Sequence, residues 1–321
     1  MKRIFYTVLA VTAVSMVMSS CSKLLSPREP SSYAEPEDGK FEVNFKFVSA
    51  AGQESKAIQE AQESKINEVQ IFVFDSTRND MLETYYKGNA VGGKLRLTPG
   101  KKKIRALANA PALGSGVGKL SDLDSALSEF GVNTADNFVM SGSLSVEIKS
   151  DATLPIVVRR HAAKIILKQV RTAFSAPVYA DAKFVINDIY LTNVAVKCKY
   201  FGLPYTNTEW NKGYGITKDM GLNKEVSDNK YDTEHIFYAY PNSSEDKPTR
   251  LVLKTTLGGT VSYYPIDLGK IESNKIYSVS DLLVTRPGGD DEDIPVVSGE
   301  FPYTVTVNGW DSDVTQLEEI I

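Results

Sequence analysis

Short stretches in which apolar and polar residues alternate recur along this chain, and they restrict its fold more than any other feature. The segment Phe41–Phe47 alternates strictly, and Tyr303–Asn308 does the same near the other end. A period of two is typical of a β-strand with one buried face. The 16 Tyr and 13 Phe residues also favour strands. We therefore predict a mostly β fold.

Further strands are predicted wherever apolar residues alternate or cluster between turns. They cover Ile66–Asp75, Leu95–Leu97, Lys103–Ala108, Phe138–Ile148, Thr153–Val158, Ala162–Thr172, Phe184–Tyr200, Glu234–Tyr240, Arg250–Thr256, Thr260–Leu268, Ile276–Thr285 and Val296–Trp310. Many short strands at regular spacing indicate β-sandwich folds. A few short helices complete the prediction. The clearest is Ser121–Phe130, where Ser121 can cap the first turn.

Two polar stretches interrupt this pattern. Ser49–Lys65 is either one weak helix or an exposed loop, and Asn207–Lys230 is predicted to be a long loop. A break at Arg159–His161 separates two sets of strands. We therefore predict two domains in tandem, an N-terminal β domain at residues 41–158 and a C-terminal β domain at residues 159–321.

The start of the chain has the pattern of an export signal. A positively charged beginning is followed by the apolar run Ile4–Met18, which is short for a membrane span. The run ends in Met-Ser-Ser-Cys21, which resembles a bacterial lipobox. The alternative is a plain secretory signal with a chance cysteine. We predict a lipoprotein signal peptide at residues 1–21 with palmitate on Cys21, and a flexible tether at residues 22–40.

The rest of the chain offers no catalytic constellation. The net charge of −4 argues against nucleic-acid binding. His161 and His235 lack a second ligand at metal spacing, and we expect Cys198 to be an inert strand residue. Gly114–Lys119 fails as a phosphate loop, because Leu120 stands where the motif needs Ser or Thr. We predict no enzyme, no metal and no cofactor.

The last residues form a tail whose apolar side chains need a partner. Asp311–Ile321 follows the final predicted strand and contains the apolar residues Val314, Leu317, Ile320 and Ile321. Chain ends usually fray unless something ties them down. The tail therefore packs on its own domain or on another molecule.

Several blocks of the sequence resemble the fimbrillin family, the pilin-like subunits of type V pili of Bacteroidia. They are Lys103–Asn109, Val158–Lys164, Ile271–Tyr277, Leu282–Thr285, Arg286–Asp291 and Tyr303–Trp310. The resemblance implies two tandem transthyretin-like β-sandwich domains and export as an outer-membrane lipoprotein that ends up in a cell-surface fimbrium supporting adhesion.

The same resemblance implies a mode of assembly. In the family, a trypsin-like protease cuts the loop after the first strand, and a donor strand from the next subunit fills the groove. Here the removable strand would carry Phe41, Val43, Phe45 and Phe47. The donor strand would carry Val314, Leu317, Ile320 and Ile321. The partners are then other fimbrial subunits, and a ligand on a host or bacterial surface stays open.

Two alternatives remain open at this point. The family usually cuts after arginine, whereas Ser49–Lys65 offers only Lys56 and Lys65. A chain that is never cut would keep its lipid and act as an anchor or accessory subunit. A protein of another class is a glycan-binding outer-membrane lipoprotein in which Trp210 and Tyr214 stack on sugars.

Overall fold

The computed structural model describes residues 38–49, 62–89, 92–213, 215–294, 303–310 and 317–318. These residues fall within one compact unit, Pro36–Ile321, in which strands dominate. The mostly β prediction is therefore confirmed. Of the candidate site residues, Cys21, Lys56, Tyr214, Val314, Ile320 and Ile321 lie outside the described residues, as do residues 1–37 of the predicted signal peptide and tether.

A seven-stranded sheet takes up the N-terminal half of the unit. Its strands are β1 (Phe41–Ser49), β2 (Glu68–Asp75), β3 (Met81–Asn89), β4 (Gly92–Leu97), β5 (Gly100–Ala108), β7 (Met140–Ile148) and β8 (Ala152–Arg160). Their order across the sheet is β3-β2-β5-β7-β8-β1-β4. Neighbouring strands are antiparallel except for β1 and β8, which run parallel.

Strand β2 is buried on both faces. Val69, Ile71 and Val73 belong to the main core, while Phe72 and Phe74 face a second cluster. That cluster is covered by the helix α1 (Leu120–Ser125) and by the aromatic residues Tyr200 and Phe201. The run of four apolar residues at Ile71–Phe74 of β2 follows from this double cover.

The remaining strands build several smaller sheets. They are β6 (Leu127–Glu129), β9 (Ala163–Leu167), β10 (Val170–Thr172), β11 (Phe184–Thr192), β12 (Val194–Ala195), β13 (Lys197–Lys199), β14 (Trp210–Asn211), β15 (Lys218–Asp219), β16 (Lys224–Glu225), β17 (Lys230–Tyr231), β18 (His235–Ala239), β19 (Arg250–Leu257), β20 (Thr260–Asp267), β21 (Lys275–Val279), β22 (Leu282–Val284), β23 (Val305–Gly309) and β24 (Leu317–Glu318).

Two five-stranded sheets dominate this second group. One has the order β18-β9-β21-β23-β24, and the other is β15-β11-β19-β20 with β16 also on β11. A three-stranded sheet, β17-β10-β22, and the pairs β12-β14 and β13-β6 complete the set. Since β6 pairs with β13, the two halves of the chain share a sheet.

One continuous hydrophobic cluster extends through both halves. It includes Val43 and Phe45 of β1, Ile165 of β9, Tyr277 of β21 and Trp310, which follows β23. The division into domains at residues 158 and 159 therefore stays a prediction.

The observed elements differ from the predicted ones at several places, and Ala162–Thr172 and Phe184–Tyr200 are each divided into shorter strands. Strand β8 continues through Arg160, so the chain breaks only at residues 161–162. Ile276–Thr285 is split into β21 and β22, and β3 was not predicted. The stretch predicted as a loop at residues 207–230 contains the two-residue strands β14, β15 and β16.

The helix α1 is shorter than predicted and has another cap. Ser121 lies inside it, while the Asp122 carboxylate accepts hydrogen bonds from the backbone N–H groups of Gly118 and Lys119 at 3.0 and 2.9 Å. Asp122, in the first turn, thus satisfies the backbone donors of the two residues just before the helix, and Ser121 is not the cap. The helix ends at Ser125, because the chain then enters β6, which pairs with β13.

Candidate assembly interface

Strand β1 lies between two neighbours and puts its apolar side chains into the core. It pairs parallel with β8 and antiparallel with β4. Val43 and Phe45 are fully buried, and Phe41 and Phe47 are half-buried against the same core. Lys46, between them, is exposed. The four residues proposed for the removable strand therefore share one face.

The burial of Val43 and Phe45 sets the cost of losing β1. Each side chain contributes roughly 1.5–3 kcal/mol when buried, so removing both exposes core worth roughly 3–6 kcal/mol. The strand also closes the ladders of β8 and β4. Its charge pairs add little, since the Glu42–Lys94 pair at 2.6 Å is largely exposed. The chain without β1 would contain an apolar groove flanked by two open edges.

The loop after β1 ends in a buried carboxylate. Glu63 is fully buried, and its Oε1 accepts hydrogen bonds from Lys164 Nζ at 2.9 Å and Tyr238 Oη at 2.6 Å. Its Oε2 accepts from Trp310 Nε1 at 3.2 Å. Arg160 Nε donates to the Glu63 carbonyl oxygen at 2.9 Å, and its guanidinium lies 4.6 Å from the Trp310 ring. No local sequence pattern predicts this cluster, which we call the Glu63 cluster.

Lys65, one of the two predicted cleavage residues, follows two positions later. Its side chain is exposed, but its backbone is held on both sides. The Lys65 N–H donates to Gln62 O at 3.0 Å, and Asn109 Nδ2 donates to Lys65 O at 2.8 Å. Ile66 then packs against the core. The other predicted cleavage residue, Lys56, lies outside the described residues.

The chain end is described in two pieces. Strand β23 pairs with β21, and the buried Trp310 follows it. Leu317 and Glu318 form β24, which pairs antiparallel with β23 opposite Val307 and Thr306. Leu317, one of the four proposed donor residues, therefore lies at the outer edge of its own five-stranded sheet.

The histidines and the cysteine occupy structural positions. His161 is buried against the rings of Tyr200 and Tyr240, and burial lowers the pKa of its imidazole to about 4. Cys198 Sγ lies 3.6 Å from His161 Nδ1, and burial raises the pKa of its thiol. A neutral imidazole and a protonated thiol stabilise the interior and give no activated nucleophile at neutral pH.

His235 bridges two other polar side chains. Its Nδ1 lies 2.7 Å from Asp219 Oδ2, and its Nε2 lies 2.9 Å from Tyr231 Oη. Within the described ranges, no group of three or more His, Cys, Asp or Glu could hold a metal ion. Among the helices of the described residues, none is long and apolar enough to span a membrane.

Trp210 lies beside an open cavity of about 740 Å³. Tyr205, Asn207, Ser243 and Lys270 also line it, and Trp210 itself is half-buried in β14. Aromatic and polar side chains thus meet in one concave surface. Such a surface is compatible with the sugar stacking considered in the sequence analysis.

Comparisons with known proteins agree with the fold. Residues 40–163 match the family model of the major fimbrial subunit protein (FimA). No curated protein matches the chain. A proposed cell adhesion protein from Bacteroides eggerthii is similar in structure, with 23% identity and a TM-score of 0.66 over 84% of this chain and 96% of that one.

Two fimbrial proteins of Porphyromonas gingivalis also share the fold. The fimbrilin of strain W83 has 18% identity and a TM-score of 0.64, over 84% of this chain and 98% of its own. The tip fimbrial protein Mfa3 with a C-terminal truncation has 13% identity and a TM-score of 0.53, over 84% and 100%. The family match agrees with the resemblance to fimbrillins over residues 40–163, and the solved structures show that the chain shares their fold.

Proposed function

We propose that this fimbrillin-like chain is a structural subunit of a cell-surface fimbria. It would be exported as a lipoprotein, held at the outer membrane through Cys21, and released when the protease removes β1. The observation that carries this proposal is the position of β1. One N-terminal strand supplies Val43 and Phe45 to the core and lies between two strands that come later in the chain.

The groove left by β1 would accept a strand from the next subunit. An extended segment restores the backbone hydrogen bonds of β8 and β4, and its alternate side chains fill the positions of Val43 and Phe45. We propose the tail Asp311–Ile321 as that segment. Among the described residues of the tail, β24 forms two residue pairs with β23, Val307–Leu317 and Thr306–Glu318, so little of this backbone pairing has to be broken to release it.

Strand exchange of this kind joins two different surfaces of one protein. One subunit contributes its groove and the next contributes its tail, so the contact is heterologous and does not close on itself. Repetition of the contact builds a filament. This geometry suits a stalk, and it requires each polymerising subunit to lose β1.

The N-terminus of the protein isolated from cells tests this function. Mass spectrometry of a polymerising subunit would find a first residue between Ala50 and Ile66. An intact chain acylated at Cys21 would instead show the alternative, an anchor or accessory subunit that keeps β1 in place.

A second function, glycan binding, is supported by the cavity beside Trp210. Its test is calorimetric titration with polysaccharides of bacterial and host surfaces. Binding that disappears in Trp210→Ala, while the unfolding midpoint is retained, would support a lectin-like role. If wild type and Trp210→Ala both fail to bind, the cavity has no such role.

A further inference from the structure

The Glu63 cluster constrains which part of the loop after β1 can leave the protein. We propose that Glu63 is a clamp that the subunit retains after processing, so that the Lys65–Ile66 bond is not the processed bond. This inference rests on the proposed removal of β1 and adds where the removed piece must end.

The buried charge of Lys164 needs Glu63 as its partner. Lys164 has a side chain that is only 7% exposed, and Glu63 is its ion-pair partner at 2.9 Å. A cut after Lys65 would place Glu63 on the departing piece. Lys164 would then remain as a buried cation without that carboxylate, which is strongly unfavourable. A cut before Gln62 leaves the pair intact.

Glu63 also holds Trp310 and its neighbours in place. Glu63 accepts the indole N–H at 3.2 Å, while Tyr238 stacks on the same ring at 5.9 Å between centroids. Trp310 also lies over Arg160, which donates to the Glu63 carbonyl. Loss of Glu63 would remove the carboxylate to which the buried Trp310 Nε1 and Tyr238 Oη donate. Glu63, at the end of the loop after β1, thus holds Trp310, the residue just before the C-terminal tail.

The backbone around the Lys65–Ile66 bond is also held in place. A protease binds its substrate as an extended segment on both sides of the cut, so the segment must first leave its place. Here Lys65 is hydrogen-bonded through both its N–H and its carbonyl oxygen. Asn67 N–H donates to Asn109 Oδ1 at 2.8 Å, and Ile66 packs against the core. The side chain of Lys65 is therefore exposed, but the Lys65–Ile66 peptide bond is protected from proteolysis.

Limited trypsin digestion of the full chain tests the proposal, with new N-termini identified by mass spectrometry. The comparison is between wild type, Glu63→Ala and Glu68→Gln. Glu68 is the control because it lies close by but forms a half-exposed ion pair with Lys87 at 3.1 Å. We expect no early fragment that begins at Ile66 in wild type and Glu68→Gln. In Glu63→Ala, cleavage after Lys65 should rise at least tenfold.

A double variant covers the case in which Glu63→Ala does not fold. Glu63→Leu with Lys164→Met removes both charges and retains side-chain volume. We expect it to unfold cooperatively and to be cut after Lys65 at least tenfold faster than wild type. In a Trp210→Phe background, which leaves Trp310 as the only tryptophan, its emission should shift to longer wavelength.

Two results would overturn the clamp. The first is a dominant early fragment of wild type that begins at Ile66. The second is an unchanged rate of cleavage after Lys65 in the folded Glu63 variants. Both readouts use the monomer, so a failure of subunits to polymerise would leave the clamp standing. Conversely, cleavage after Lys65 would still release β1 and leave the proposed function standing.

Discussion

The side-chain carboxylate of Glu63 accepts a hydrogen bond from the indole of Trp310, 247 positions later in the chain. Glu63 lies at the end of the loop that follows β1, and Trp310 directly precedes the C-terminal tail. The two segments that strand exchange would use, β1 and the tail, are therefore connected to one buried cluster. If the subunit is processed as proposed, its new N-terminus and its tail would share one fixed point, the Glu63 cluster.

We first expect strand β1 to contribute strongly to the stability of the uncut chain. Phe45→Ala should lower the free energy of unfolding by about 3–5 kcal/mol, because the ring is buried in the main core. Chemical denaturation measures the change. Lys46→Ala is the matched control, since its side chain is exposed, and it should change stability by less than about 0.5 kcal/mol. Equal effects of the two substitutions would show that β1 is not packed as described.

A second expectation concerns the buried lysine of β5. Lys102 Nζ contacts Asp75 Oδ2 at 3.0 Å and Glu83 Oε2 at 2.6 Å. Burial acts to raise the pKa of Asp75, but hydrogen bonds from Thr77 and Lys102 outweigh it and lower this pKa to about 2. Lys102→Met would leave two buried carboxylates facing each other and should cost about 3–5 kcal/mol.

The control for this substitution is the adjacent Lys101→Met, because Lys101 is exposed on the same strand. Urea denaturation at pH 7 should show a near-normal midpoint for Lys101→Met and a much lower one for Lys102→Met. A midpoint for Lys102→Met equal to that of the control would contradict the buried ion pair.

A third expectation is a loss of stability in weak acid through His161. Burial lowers its pKa to about 4 in the folded protein, against about 6.5 for an unfolded chain. The contribution is therefore complete above pH 6.5 and is lost as the pH falls from 6.5 towards 4. The loss approaches about 1.4 kcal/mol for each pH unit.

The His161→Gln variant isolates this effect, because it retains a polar side chain without a titrating proton. Denaturation between pH 7 and pH 4.5 should show a shallower decline for His161→Gln than for wild type. Parallel curves would mean that His161 is protonated equally in both states.

A fourth expectation concerns the point at which β8 leaves β7. The two strands pair only at Met140 and Ser141. A Cβ atom on Gly142 would lie 2.4 Å from the Val157 carbonyl oxygen, so this approach requires glycine. Gly142→Ala should destabilise the protein by about 1–3 kcal/mol through overpacking.

Gly131→Ala is the control, since a Cβ there meets no atom within 4 Å. Thermal unfolding should distinguish the two substitutions. If Gly142→Ala unfolds at the same temperature as Gly131→Ala, the close approach of β8 is not part of the folded protein.

Much of the strand pattern could be predicted from the sequence, because alternation is a local property. Phe41–Phe47 was placed correctly, since its period of two shows which side chains are buried. Strand β3 was missed because its sequence, Met-Leu-Glu-Thr-Tyr-Tyr-Lys-Gly-Asn, does not alternate and its side chains are mostly half-buried.

The Glu63 cluster could not be predicted in the same way. Its partners Lys164, Tyr238 and Trp310 lie 101, 175 and 247 positions further along the chain, so no local pattern connects them. Ser49–Lys65 also has a weak apolar face, which concealed one fully buried residue near its end. Burial of a charged residue depends on the tertiary fold, which single-sequence patterns do not contain.

The most direct test of assembly by strand exchange is the size of the particles formed after protease treatment. The full chain and a chain without Asp311–Ile321 would be treated with trypsin under native conditions and compared by light scattering and electron microscopy. We expect filaments only from the chain that has the tail. Circular dichroism should show that both chains remain folded. Filaments of equal length from the truncated chain would contradict the tail as donor strand.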